Sequence, residues 1–115
     1  MADTDGNPAT VGVPTWTPLI TNPSYPEWPS GLCSVVGAVS TALTRLNGDG
    51  TLDLKVTSSA AGQTRHFATK AQIAQEAIDA RIWSGIHFRT ADEVSIEIGS
   101  NVANWTLDHY FQPTD

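Results

Sequence analysis

PSGLCSVVGAVSTALTRLNG, residues 29–48, is the stretch on which the fold turns. Leu32, Val35, Val36, Val39, Leu43 and Leu46 fall at offsets 0, 3, 4, 7, 11 and 14. That spacing is one stripe of a 3.6-residue helix. Ser30 stands behind Pro29 as a candidate N-cap. Asn47-Gly48 and Asp49-Gly50 then stop the helix and turn the chain. A helix is expected over 31–47.

Outward from it, the two sides differ. Residues 1–30 hold six of the seven prolines, Pro8, Pro14, Pro18, Pro23, Pro26 and Pro29. Proline fixes φ and removes a donor, so no long helix fits there. Trp16, Leu19, Ile20, Tyr25 and Trp28 lie between them, which predicts an ordered, irregular arm lying on an apolar surface. Downstream, Leu52, Leu54 and Val56 alternate with Asp53, Lys55 and Thr57, a strand period. Residues 63–67 are expected to pair back with it as a hairpin, which needs packing on helices to persist. A second helix is expected over 69–83, opened by Thr69 and Gln72 in a capping-box pattern. Ala74, Ala77, Ile78 and Arg81 share one of its faces. Ser84-Gly85 breaks the chain. A third helix is expected from about 91 to 110, with Val94, Ile98, Val102, Trp105 and His109 along one side. The fold class is mainly α: a partial bundle of about three helices, one small β-hairpin and a Pro-rich N-terminal arm. Residues 1–115 read as one domain, 1–30 arm and 31–115 helical part.

The charge balance narrows the function. The net charge is -6, and the six Lys and Arg are scattered, so no basic face for nucleic acid forms. A pocket can still be positive locally, and small anions remain candidate ligands. No apolar run reaches the roughly 18 residues of a membrane span. The polar, acidic start is no signal peptide, and the compartment stays open. Cys33 is the only cysteine, so no internal disulfide forms. His66, His109 and Cys33 are too scattered for a zinc site. Asp3-Thr4-Asp5-Gly6 and Asn47-Gly48-Asp49-Gly50 read as turns, and the sequon Asn104-Trp105-Thr106 sits within a predicted helix.

Two features carry chemistry. Pro29-Ser30-Gly31 opens a helix, and the first N–H groups of a helix are unpaired and partly positive, which suits an oxyanion. Ser30 adds a hydroxyl donor, and Gly31 lets backbone approach closely. The second is Arg81 followed by His87 across a glycine break. The guanidinium fork suits phosphate or vanadate oxygens, and a neutral imidazole can attack phosphorus or ligate vanadium. The competing reading of this pair is an arginine salt bridge and a satisfied core histidine.

The order of these features resembles the vanadium-dependent haloperoxidases and type 2 phosphatidic acid phosphatases, here their C-terminal portion. That superfamily carries a Lys and Arg-Pro motif, then Pro-Ser-Gly-His, then Arg, five residues, His and Asp. The matching residues are Tyr25-Pro26-Glu27-Trp28-Pro29-Ser30-Gly31 and Arg81-Ile82-Trp83-Ser84-Gly85-Ile86-His87-Phe88-Arg89. Asp5-Gly6-Asn7-Pro8-Ala9-Thr10 and Trp16-Thr17-Pro18-Leu19-Ile20 look like the loop joining the first two motifs. The resemblance implies that His87 is the catalytic group, as vanadate ligand or phosphate nucleophile. Arg81, Ser30 and the Gly31 N–H would bind the oxyanion's oxygens. It implies vanadate as cofactor with phosphate as competitor, because vanadate mimics the phosphoryl transition state. Members are often exported.

Three departures qualify what is implied. Leu32 stands where the acid–base histidine belongs, and losing such a group costs about 10²–10⁴ in rate. The Lys and Arg-Pro motif is absent, which makes Met1 look like a truncation point. Asp92 follows His87 by five residues rather than four, which on a helix turns it roughly 140° out of phase. The expectation is a domain with half an oxyanion site and impaired turnover, or a non-catalytic structural remnant. Either way, exposed apolar helix faces favour self-association.

Overall fold

A computed structural model describes residues 5–48 and 50–112. Met1, the Asp3-Thr4 half of the acidic turn and Asp49 lie outside the described residues. Three helices and one hairpin follow in the order α1 (Gly31–Leu46), β1 (Leu54–Ser58), β2 (Gln63–Phe67), α2 (Lys70–Trp83) and α3 (Arg89–His109). The strands pair antiparallel from Leu54↔Phe67 to Ser58↔Gln63. Residues 5–30 hold no helix or strand.

Local chemistry sets most boundaries. Thr69 and Gln72 form the expected capping box, each side chain closing on the other's backbone. The end of α2 is a Schellman motif. The Ile86 N–H donates to the Arg81 carbonyl and the Gly85 N–H to that of Ile82, with Gly85 at φ +68°. Position 85 suits glycine for a second reason: a Cβ there would lie 2.7 Å from the Trp16 ring. β1 starts at Leu54 rather than at 52, although Leu52 is buried and its N–H donates to Ala68. α3 begins at Arg89, two residues earlier than its apolar period suggests.

The helix packing leaves an apolar helix face exposed, as expected. α1 and α3 run parallel, because their contacts climb together: Cys33 with Asp92, Thr41 with Ser100, Arg45 with Asn104 and Asp108. The seam is built from small residues, Cys33, Gly37, Ser40 and Thr41 against Ala91, Asp92, Ser95, Gly99 and Ala103. At Gly37 and Gly99 the two backbones touch. The apolar stripe that predicts α1 therefore faces away from α3, with Leu32 45%, Val35 59%, Val39 49% and Leu46 71% exposed. A helix keeps its side chains wherever its period puts them; which face is buried depends on what packs closest, and here close approach outranks apolar area.

The arm leaves its large apolar residues mostly uncovered: Trp16 is 56%, Trp28 52% and Leu19 99% exposed. It is tied down mainly by polar contacts, Asn22 to the Gly85 carbonyl and Glu27 to His87 and Phe88. The resulting molecule is open. Its radius of gyration is 17.2 Å, against about 13 Å for a compact chain of this length.

Candidate functional site

The arm, the start of α1, the end of α2 and the start of α3 meet at one place. His87 leaves the Schellman turn two residues before α3, with its side chain fully buried. Its Nδ1 lies 2.6 Å from the Glu27 carbonyl oxygen. A carbonyl only accepts, so Nδ1 carries a proton and Nε2 is the ring nitrogen left to meet a ligand. That Nε2 is buried and has no hydrogen-bond partner. Glu27 also grips the next residue, its Oε1 accepting from the Phe88 N–H at 3.1 Å.

Arg81, one turn from the end of α2, donates from Nη2 to the Tyr25 hydroxyl. Its Nε is buried without a partner. Arg45, Arg65 and Arg89 pair with Asp108, Glu76 and Asp79. Among the described residues Arg81 has no such carboxylate. The Tyr25 ring links the two groups, 5.9 Å from the guanidinium carbon and 5.6 Å from the centre of the His87 ring.

Ser30 occupies the N-cap of α1, but its side chain makes no cap bond. Its N–H donates to Ser95 Oγ at 2.8 Å, and its own buried Oγ has no partner. Gly31 opens the helix with nothing within 4 Å of a would-be Cβ. Under Ser30 lies a floor of Cys33, Asp92 and Ser95, all buried. Cys33 Sγ donates to Asp92 Oδ1 at 3.3 Å, and Asp92 Oδ2 is a further buried atom without a partner.

Unpaired polar atoms are rare inside proteins, because each costs about 1–3 kcal/mol. Among the described residues the orphaned atoms are Asn22 Oδ1, Ser30 Oγ, Arg81 Nε, His87 Nε2 and Asp92 Oδ2, and Ser30, Arg81 and His87 are residues that the sequence selects. Those three offer a hydroxyl, a guanidinium N–H and an imidazole nitrogen. They suit an oxyanion with a central atom open to a nitrogen ligand. No cluster of three His, Cys, Asp or Glu occurs among the described residues.

The sequence matches the profile of the VCPO second helical-bundle domain over residues 1–115. The chain belongs to that family, within the vanadium haloperoxidases. Two solved structures resemble this VCPO bundle. One is the first bacterial vanadium-dependent iodoperoxidase, 29% identical with a TM-score of 0.72, over 87% of this chain and 25% of that one. The other is an apo-type bacterial vanadium-dependent chloroperoxidase, 24% identical with a TM-score of 0.64, over 77% and 22%. The VCPO bundle thus spans about a quarter of either enzyme. No curated protein matches it.

The five-residue spacing puts in doubt that Asp92 orients His87, and no hydrogen bond joins the two here. Asp92 is fully buried in the floor, on α3, whose N-cap is Phe88. Asp92 bonds Cys33, while the partner of His87 is Glu27. Leu32 lies on the rim, 45% exposed, beside a depression of about 300 Å³ shared with Tyr25, Pro26, Trp28, Pro29 and Gly31. His66 pairs with Asp53, and His109 stacks on Trp105, both outside the site.

Cys33 gives the floor a pH signature. Burial pushes its thiol from 9.0 up to about 11; the neighbouring Ser30 side chain opposes the rise, and Asp92 adds to it. The folded chain therefore holds this proton after the unfolded chain has lost it. The stabilisation is whole below pH 9.0 and drains away as pH rises toward 11, by about 1.4 kcal/mol per pH unit. Urea unfolding at about pH 8 and about pH 10.5 should show this slope, and Cys33→Ala should flatten it.

Proposed function

We propose that this chain is the oxyanion-holding half of a vanadium haloperoxidase-type site: it binds vanadate, with phosphate competing, and does not complete turnover by itself. What carries the reading is the trio of buried, unpartnered atoms Ser30 Oγ, Arg81 Nε and His87 Nε2. His87 would ligate the central atom through Nε2, while Arg81, Ser30 and the Gly31 N–H would hold the oxygens. Bound vanadate would supply the Lewis acidity by which peroxide oxidises halide. In a metal-free phosphoesterase the same imidazole would attack phosphorus.

The reading of impaired turnover rests on two residue-level facts. Leu32 cannot move a proton at the position where the resembled family has histidine. Arg81 is the one cation that the site holds among the described residues, and burying a multiply charged anion beside one guanidinium is unfavourable. A second reading, a non-catalytic interaction or structural module, is favoured by the exposed α1 stripe of Leu32, Val35, Val39 and Leu46, which also suits self-association.

Thermal unfolding against orthovanadate, with phosphate in parallel, separates the two. A binder gains about 2.7 kcal/mol at a hundredfold excess over Kd, roughly 10 °C in Tm for a chain of this size. A flat Tm across the titration would leave only the structural module.

A further inference from the structure

Arg81 and His87 come from the end of one helix and the loop before the next, and a single side chain touches both. The Tyr25 hydroxyl accepts from Arg81 Nη2, and its ring lies 5.6 Å from that of His87. Tyr25 belongs to the arm, five residues before Ser30, so the segment that ends in the third candidate ligand also carries this contact. An arginine loses much rotamer freedom when it is held for binding, and its neighbours decide whether that loss is met before the ligand arrives. Among the described residues no carboxylate holds Arg81, so the phenol oxygen does. The bond uses Nη2 and leaves Nε unpaired.

We propose that Tyr25 is a positioning residue of the oxyanion site: its hydroxyl fixes the guanidinium by one edge so that Nε stays free for a ligand oxygen, while its ring backs the His87 imidazole. Because the phenol oxygen accepts from the arginine, its own O–H remains available as a further donor. The inference rests on the oxyanion reading above, and its test has one arm that needs no anion.

Tyr25→Phe keeps the ring and removes the bond. In the 115-residue chain, calorimetric titration with orthovanadate should show about tenfold weaker binding, the usual worth of a hydrogen bond to a charged group. The anion-free thermal midpoint should fall by only a few degrees, the loss of one hydrogen bond at a residue that is 43% exposed. In the anion-free protein, the Arg81 Nε–H should exchange with solvent faster in the variant by NMR. Unchanged vanadate affinity overturns the proposal, and so does weaker binding without faster Nε–H exchange. If wild type does not bind vanadate, the oxyanion reading falls, and the exchange measurement alone decides whether Tyr25 holds Arg81: faster exchange upholds the hold, unchanged exchange ends it.

Discussion

Gly99→Ala should cost this chain a large part of its stability, about 3 kcal/mol or more, the upper end of what overpacking does. A Cβ at Gly99 would stand 1.9 Å from the Ser34 carbonyl oxygen and 2.8 Å from the Ala38 nitrogen. At Gly37 it would stand 2.2 Å from the Ile96 carbonyl oxygen. All three obstacles are main-chain atoms of the facing helix, which cannot rotate aside as a side chain does. The only relief is to part α1 from α3, which opens the seam on which Ser30, Cys33, Asp92 and Ser95 sit. Against a typical total of about 5–15 kcal/mol the change is severe. Urea midpoints check it, with Gly31→Ala as the control. Nothing lies within 4 Å of a Cβ there, so the ordinary helical preference for alanine leaves that variant as stable as wild type or more so by up to about 1 kcal/mol. Equal midpoints for Gly99→Ala and Gly31→Ala would mean that the helices do not touch at this crossing.

The same seam shows what the sequence can and cannot say. Element types were legible because they rest on local chemistry: the 32–46 period, the Thr69–Gln72 box and the Gly85 break each act within a turn or two. Which face is buried was not, because the apolar stripe of α1 and the small-residue stripe are both valid helical faces. Choosing between them needs the partner, and the pairs Cys33–Asp92 and Thr41–Ser100 are 59 residues apart. The site followed the same division. Ser30, Arg81 and His87 stood out through motif spacing. Tyr25, Glu27, Asp92 and Ser95, which hold or floor them, did not, because each acts across a gap of 56 to 65 residues.

Arg81→Met should separate stability from binding, with the two moving independently. In the wild-type chain without anion, Arg81 Nε is buried and unpaired, a standing cost of about 1–3 kcal/mol. Methionine keeps much of the apolar stem and removes that orphan, at the expense of the bond to Tyr25, worth about 1–2 kcal/mol. The two changes nearly cancel, so the anion-free urea midpoint should move little in either direction. Vanadate should then tell the proteins apart. The gain of about 2.7 kcal/mol expected of wild type at a hundredfold excess over Kd should vanish in the variant, because no other cation among the described residues serves the site. A residue kept for folding behaves in the opposite way: its loss lowers the midpoint and leaves the response to ligand intact. If Arg81→Met collapses the fold in the absence of anion, the guanidinium is structural after all, and its unpaired Nε needs another explanation. If the fold survives and the vanadate response survives with it, the oxyanion sits elsewhere. Only a silent midpoint with a lost response matches a side chain that is held ready, at a cost, for a ligand.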